Sequence, residues 1–237
     1  KADINPEIRV PEVSHMHSPI DSESYVKPIL GRTKIDIWEC YARHVLQFID
    51  SNKYGNLAYS DKPDLIDRAQ SLGIEVTASQ SQDSRKAESL YSKLLYENDS
   101  SQEKRRVELI EQCGAHFEKE VLYGPNSSDS FEPVIEALRK KLDRLDSGDY
   151  ETVRRNELFV RSNILADAEM LREALSNMKK ESSDHSCHFA SVIVSVPGYN
   201  YVFDLDASTC VSLEFEYEDQ HRIAREANKE VNIAQSS

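Results

Sequence analysis

The sequence predicts an α+β domain in which a helix-rich section precedes a small antiparallel sheet, and three observations carry that expectation. In four blocks between about residues 34 and 180 apolar residues recur at gaps of three and four, the period of an amphipathic helix. The 237 residues include only seven glycines, which suits a chain biased toward helix. After the polar linker Glu181 to Ser186 the pattern changes to β-branched and aromatic runs separated by turn signals.

Taken in order, residues 1–30 carry prolines at 6, 11, 19 and 28 and read as an extended arm. Residues 31–237 then form a single α+β domain with a helical insertion at about 60–182. A first helix is expected over 34–50, opened by the capping-box pair Thr33 and Asp36 and lined by Ile35, Trp38, Ala42, Val45 and Ile49. Further helical blocks are expected at 85–122, 131–146 and 150–180, the last with Leu158, Leu165, Met170, Leu171, Leu175 and Met178 as its core stripe. Residues 189–196, 201–205 and 211–217 have strand composition, with a turn at Pro197 and Gly198 between the first two. An amphipathic helix over 218–234 closes the chain on Ile223, Ala227, Val231 and Ala234.

Charge and composition narrow the function classes. With 42 acidic and 29 basic residues the formal charge is −13, which repels phosphate backbones and argues against nucleic acid as a partner. No apolar run approaches the roughly 18 residues of a membrane span. Cys40, Cys113, Cys187 and Cys210 show no CxxC spacing, which suits a reducing, cytoplasmic setting. The chain starts at Lys1 and not at methionine, so the lack of a signal peptide carries no information. The sequons at Asn98 and Asn126 are of the frequency expected by chance in a serine-rich chain.

The residues that can carry chemistry centre on a thiol. On a helical projection Cys40 falls opposite the apolar arc, beside Asp36, Arg43 and His44, an unusual place for a packing cysteine. Counted from Thr33 it lies nearly two turns inside the helix, where the dipole that lowers a thiol pKa has faded. Cys113, in "QCGAH", projects onto the edge of the stripe Val107, Ile110, Phe117 and Val121; it reads as core and remains the rival nucleophile. A thiol nucleophile needs a base and an orienting acid. His188 at a strand start and Asp204 on the next strand can supply them.

The run from His188 through "VPG" and an aromatic to "FDLD" resembles the histidine-to-aspartate hairpin of papain-like and transglutaminase-like cysteine enzymes. "NYVFDLD" is also similar to the matching strand of protein N-terminal glutamine amidohydrolases, and the spacing is like that of bacterial effector cysteine proteases. The resemblance spans about twenty residues of 237. It implies a papain-like fold, with Cys40 as nucleophile, His188 as general base and Asp204 as orienting acid. The implied activity is a cysteine hydrolase or acyltransferase acting on a protein amide, with no cofactor or metal. The effector likeness further implies delivery into a host cell cytosol.

Strand register tests the dyad. A two-residue turn at Pro197 and Gly198 pairs Val196 with Tyr199 and Ser191 with Asp204, which turns His188 to the other face. The dyad therefore requires a bulge or an odd-numbered loop, and Asp206 then competes with Asp204 for His188. His185, Cys187 and His188 lack a second ligand pair at metal-site spacing, and His15 and His17 read as solvated. Charged runs such as "LRKKLDRLD" read as solvated helix faces. The competing reading is an acidic helical module that binds a partner protein, with the sheet as its platform.

Overall fold

A computed structural model describes residues 33–94, 98–118, 121–123, 130–148 and 150–236. The expected N-terminal arm, His15, His17 and Asn126 lie outside the described residues. In chain order the elements are α1 (Ile37–Ile49), α2 (Ser51–Tyr54), β1 (Ala58–Tyr59), β2 (Leu65–Asp67), β3 (Leu72–Ala78), α3 (Gln82–Leu94), α4 (Ser100–Gln112) and the ribbon β4 (His116–Glu118) and β5 (Val121–Tyr123). There follow α5 (Glu132–Asp146), β6 (Arg155–Arg161), α6 (Ala168–Ser183), β7 (Ser191–Val196), β8 (Gly198–Asp204), β9 (Thr209–Phe215) and α7 (Tyr217–Ser236).

Seven strands form one sheet in the order β1-β2-β3-β6-β7-β8-β9. Its three central strands, β3, β6 and β7, run parallel, and antiparallel pairs flank them on both sides. The fold is thus mixed α and β as expected, but its sheet is neither small nor purely antiparallel. The difference arises at Arg155–Arg161, expected as helix and found as β6. Its Leu158, Phe159 and Val160 are buried against helices on both faces, and a strand covered on both sides loses the polar–apolar alternation that marks strands in a sequence. Leu165, expected in the core, is 55% exposed in the loop beyond.

Helices cover both faces. α5 and α6 bury Leu138, Leu142, Leu171 and Met178 against Leu158, Val160, Val192 and Phe203. α1 packs Ala42, Val45 and Leu46 on the other face against Ile74, Phe159, Ile193 and Phe215, with Ile223 of α7 in the same cluster. α7 also lies along α1, joined through Cys40, Ala227 and Val231. The β7–β8 hairpin has the register expected from its turn, with Ser191 opposite Asp204 and Val196 opposite Tyr199. Gly198 supplies the positive φ of 90° which that tight turn requires. The expected block at 85–122 resolves into α3, α4 and the β4–β5 ribbon. No helix among the described residues is long and apolar enough to cross a membrane.

Candidate functional site

The free edge of β3 is where polar groups converge. β2 pairs with β3 only from Leu72 to Ile74, so the β3 backbone beyond that point lacks a strand partner on this side. Asp64, just ahead of β2, fills the gap: its Oδ2 accepts the Val76 amide at 2.6 Å. Along β3 the side chains alternate, with Ile74 and Val76 toward the α1 layer. Glu75 therefore turns to the α5 layer, where its Oε1 accepts from Lys141 Nζ. The pair is nearly enclosed, with side chains 6% and 13% exposed. The second oxygen, Glu75 Oε2, is buried without a well-formed hydrogen bond.

Glu39 arrives from the first turn of α1. That turn is fixed by Asp36, whose carboxylate accepts the amides of Trp38 at 2.7 Å and Glu39 at 3.4 Å. The cap is Asp36 and not Thr33, so the helix starts later than expected and Glu39 and Cys40 both fall near its N-terminus. Burial, and then the charges of Asp64, Asp36, Glu75 and Asp61, push the Glu39 carboxyl up to about 7. Burial and the Glu75 charge raise Asp64 to about 6, against the pull of the Val76 amide and Lys141. Burial also raises the phenol of Tyr150, and the neighbouring Glu75 charge and a hydrogen bond from the phenol toward the Glu75 carboxylate add to it.

These groups line a cavity of about 640 Å³ together with Lys62, Lys141, Arg144 and Arg161. A second cavity of about 650 Å³ adjoins it across Trp38, Tyr41 and Arg161, and the two together lie along the carboxyl ends of β3, β6 and β7. Arg161 stands at the junction, stacked 3.4 Å from the Trp38 ring centroid and paired with Glu88 at 3.0 Å. Open α/β sheets hold ligands at the carboxyl ends of their parallel strands, and this cleft lies there.

Glu39 and Asp64, each raised in part by the charge of Glu75, gather beside it on one wall of the cavity, where a proton or a cation relieves their repulsion. The donor set is all oxygen, the chemistry of hard divalent cations. The carboxylate oxygens of Glu39, Asp64 and Glu75 do not all lie within 4.8 Å of one another. A direct three-carboxylate cage is therefore not formed, and an ion here would take one or two of them directly and keep waters, as Mg²⁺ does.

The residues singled out by the sequence are placed elsewhere and are not brought together. Cys40 is fully buried between α1 and α7, with its Sγ 3.3 Å from Glu230 Oε2 and 3.6 Å from the Ala227 carbonyl. Burial, reinforced by the Glu230 charge, pushes its thiol up to about 12, the reverse of an activated nucleophile. His188 is exposed ahead of β7, its Nε2 3.1 Å from Asp206 Oδ1. Asp204 accepts the Ala207 amide at 2.8 Å and lies 3.8 Å from Arg155. Cys40 neighbours Tyr59 of β1, and His188 precedes β7, four strands further along the sheet. At about 4.8 Å per strand that separates them by roughly 19 Å.

The triad Cys40, His188 and Asp204 is thus not assembled. Its aspartate alternative is the one that meets the histidine, because the regular hairpin turns Asp204 away and the loop beyond β8 returns Asp206. Cys113 is buried against Ile110 and Ala115, the core position expected of it. His185 is engaged by Asp146 at 2.9 Å, and the Cys187 amide binds the same carboxylate at 2.7 Å. Neither a protein-family model nor a curated protein nor a solved structure matches the chain.

Proposed function

We propose that the cleft at the end of β3 binds a divalent cation of the Mg²⁺ class and hydrolyses a phosphate diester. One observation carries the reading: Glu75 is buried with one oxygen held by Lys141 and the other making no well-formed hydrogen bond, with the Tyr150 hydroxyl beside the carboxylate, facing a cavity that Glu39 and Asp64 share. A buried carboxylate oxygen that makes no well-formed bond is costly, and a cation beside it removes the cost. Glu39, Asp64 and Glu75 are the residues that would hold the ion. When bound, it supplies Lewis-acid stabilisation to the charge developing on a phosphoryl group.

The cationic groups name the other half of the chemistry. Lys62, Lys141, Arg144 and Arg161 stand around the same cavity as the carboxylates. Acidic groups for a cation and basic groups for an anion in one cleft are what a cation-assisted phosphoryl site needs. Lys141 supplies the counter-charge beside Glu75. Glu39, with its raised pKa, would give up its proton near neutrality as the ion enters, which makes cation binding stronger at higher pH. The adjoining cavity past Trp38 leaves room for a second ester arm, hence a diester. The charge of −13 works against polyanions at long range, so the local basic groups must do the capturing. A cysteine-dependent amide hydrolase finds no support in this geometry, since its three residues have separate partners.

The test is turnover of bis(p-nitrophenyl) phosphate and of a labelled single-stranded oligonucleotide with Mg²⁺ or Mn²⁺. Expected is cation-dependent cleavage of at least one of them, abolished by EDTA. Glu75→Gln should lower it by more than about 10–100-fold, the scale on which even outer partners of a metal site count. No cleavage of either substrate with Mn²⁺, or full activity in Glu75→Gln, would overturn the reading and leave the acidic binding module.

A further inference from the structure

A separate cluster joins α1 to α7. Cys40 and His44 stand one turn apart on α1, and Glu226 and Glu230 one turn apart on α7. Glu230 Oε2 lies 3.3 Å from Cys40 Sγ and 3.0 Å from His44 Nε2. Among the described residues, Cys40, His44 and Glu230 are the one group of three ligand-type side chains whose donor atoms all lie within 4.8 Å of one another. We propose that Cys40, His44 and Glu230 form a zinc-binding site that fastens the C-terminal helix to α1.

The surroundings match a metal site beyond its inner ligands. Zinc bond lengths of about 2.3 Å to sulfur, 2.0–2.1 Å to nitrogen and 2.0–2.2 Å to oxygen place tetrahedral ligand atoms about 3.4–3.6 Å apart, so small outward shifts of the three side chains admit the ion. His44 presents Nε2 to the centre, while its Nδ1 faces Glu226 Oε2 at 3.9 Å, the arrangement of a carboxylate that orients a metal-bound histidine. Tyr59 holds Glu230 Oε1 at 2.9 Å. One nitrogen of Arg43 reaches both oxygens, at 2.7 Å and 2.6 Å, and keeps Oε1 when Oε2 turns to the ion.

Charge closes as well. The Cys40 thiolate and Glu230 neutralise a divalent ion, and Arg43 offsets Glu226. The thiol proton leaves to solvent on binding. The mixed sulfur, nitrogen and oxygen set selects zinc over magnesium and so separates this site from the all-oxygen cleft. Three protein ligands leave a fourth position for water.

Cobalt(II) is the probe, because it adopts zinc geometry and reports a thiolate ligand as a charge-transfer band in the near ultraviolet. Titrating Co²⁺ into the metal-free full chain should produce that band and saturate at one equivalent. Zn²⁺ should abolish the band and raise the melting temperature. Cys40→Ser should remove the band, Cys187→Ser should keep it, and Glu226→Gln should weaken Co²⁺ binding about 10–100-fold. Because Cys40→Ser alters a buried position, the half-buried His44→Ala provides a second variant, expected to weaken Co²⁺ binding by at least tenfold with an unchanged far-ultraviolet circular dichroism spectrum. No thiolate band, a band that survives Cys40→Ser, or one lost in Cys187→Ser would overturn the assignment.

Discussion

Replacing Lys141 with methionine tests the electrostatics on which the proposed cleft rests. The substitution keeps an unbranched chain of similar length and removes only the ammonium that neutralises Glu75. Both side chains are nearly enclosed, at 13% and 6% exposure, so the loss leaves a carboxylate charge in a poorly solvated place. Breaking a buried pair by removing one partner costs about 3–5 kcal/mol. A ceiling exists, because Glu75 can take up a proton instead: starting from an ordinary glutamate pKa of about 4.3, protonation at pH 7 costs about 3.7 kcal/mol at 1.36 kcal/mol per pH unit. The expected destabilisation at pH 7 is therefore about 3–4 kcal/mol, or a melting temperature lower by about 6–16 °C for a chain of this size. At pH 5 the same ceiling drops to about 1 kcal/mol, so most of the difference should vanish. Mn²⁺ should restore part of it at pH 7. The assay is thermal unfolding of both proteins at the two pH values, with and without Mn²⁺. A Lys141→Met protein as stable as the parent at pH 7, or equally weakened at both pH values, would refute a charged, enclosed Glu75.

Three further outcomes follow from the same structure. Glu39 and Asp64 have folded pKa values near 7 and 6, above their unfolded values, so their favourable contribution is complete below about pH 4 and is lost as pH rises through 6 and 7. Stability of the metal-free protein should fall over that window, less steeply in Glu39→Gln; identical slopes in thermal melts would contradict this. In Gly73→Ala the new methyl would sit 2.7 Å from Pro63 Cγ and 3.1 Å from Val153 Cγ2, pushing on the segment that delivers Asp64. It should cost about 1–3 kcal/mol in urea denaturation, and an unchanged midpoint would show that the segment yields freely. Iodoacetamide at pH 8 should label exposed Cys187 on the native, metal-free protein and leave Cys40 untouched until unfolding. Rapid labelling of Cys40 that slows in His188→Ala, read by mass spectrometry, would instead revive the triad.

The C-terminal third of the fold was legible because its signals are local. Pro197 and Gly198 alone set the register of β7 and β8, and the apolar positions 223, 227 and 231 mark the buried stripe of α7. β6 was not legible for the opposite reason. Leu158 and Leu165 stand seven residues apart, a helical interval by accident, whereas the strand is specified by burial under helices on both faces. Cys40 illustrates the same limit. Projection of α1 alone gives one apolar arc and one polar arc, but α7 covers the second arc with Ala227 and Val231. What reads as an exposed thiol is thereby placed in a second interface, 190 residues away in sequence from Glu230, the carboxylate it meets.

The cleft itself leaves a trace in the sequence. In "LGIEVTA" one glutamate interrupts a run of strand-forming residues, and Glu75 cannot reach solvent from a strand paired with β6 on one side and flanked by helices on both faces. Burying a carboxylate without a partner is among the costliest choices a strand can make, so such a residue marks either an ion pair or a bound ion. Here one oxygen marks the ion pair with Lys141, and the other is the one to which the proposed cation is assigned. The position of Glu75 was therefore readable from strand composition and cost alone. Its partner was not: Lys141 lies in "LRKKLDRLD", where any of several basic residues fits a solvated helix face, and only the packing of α5 against β3 selects it. A carboxylate in the middle of a strand can be found without a fold, whereas the lysine that pairs with it is known only once the crossover helix has been laid across the sheet.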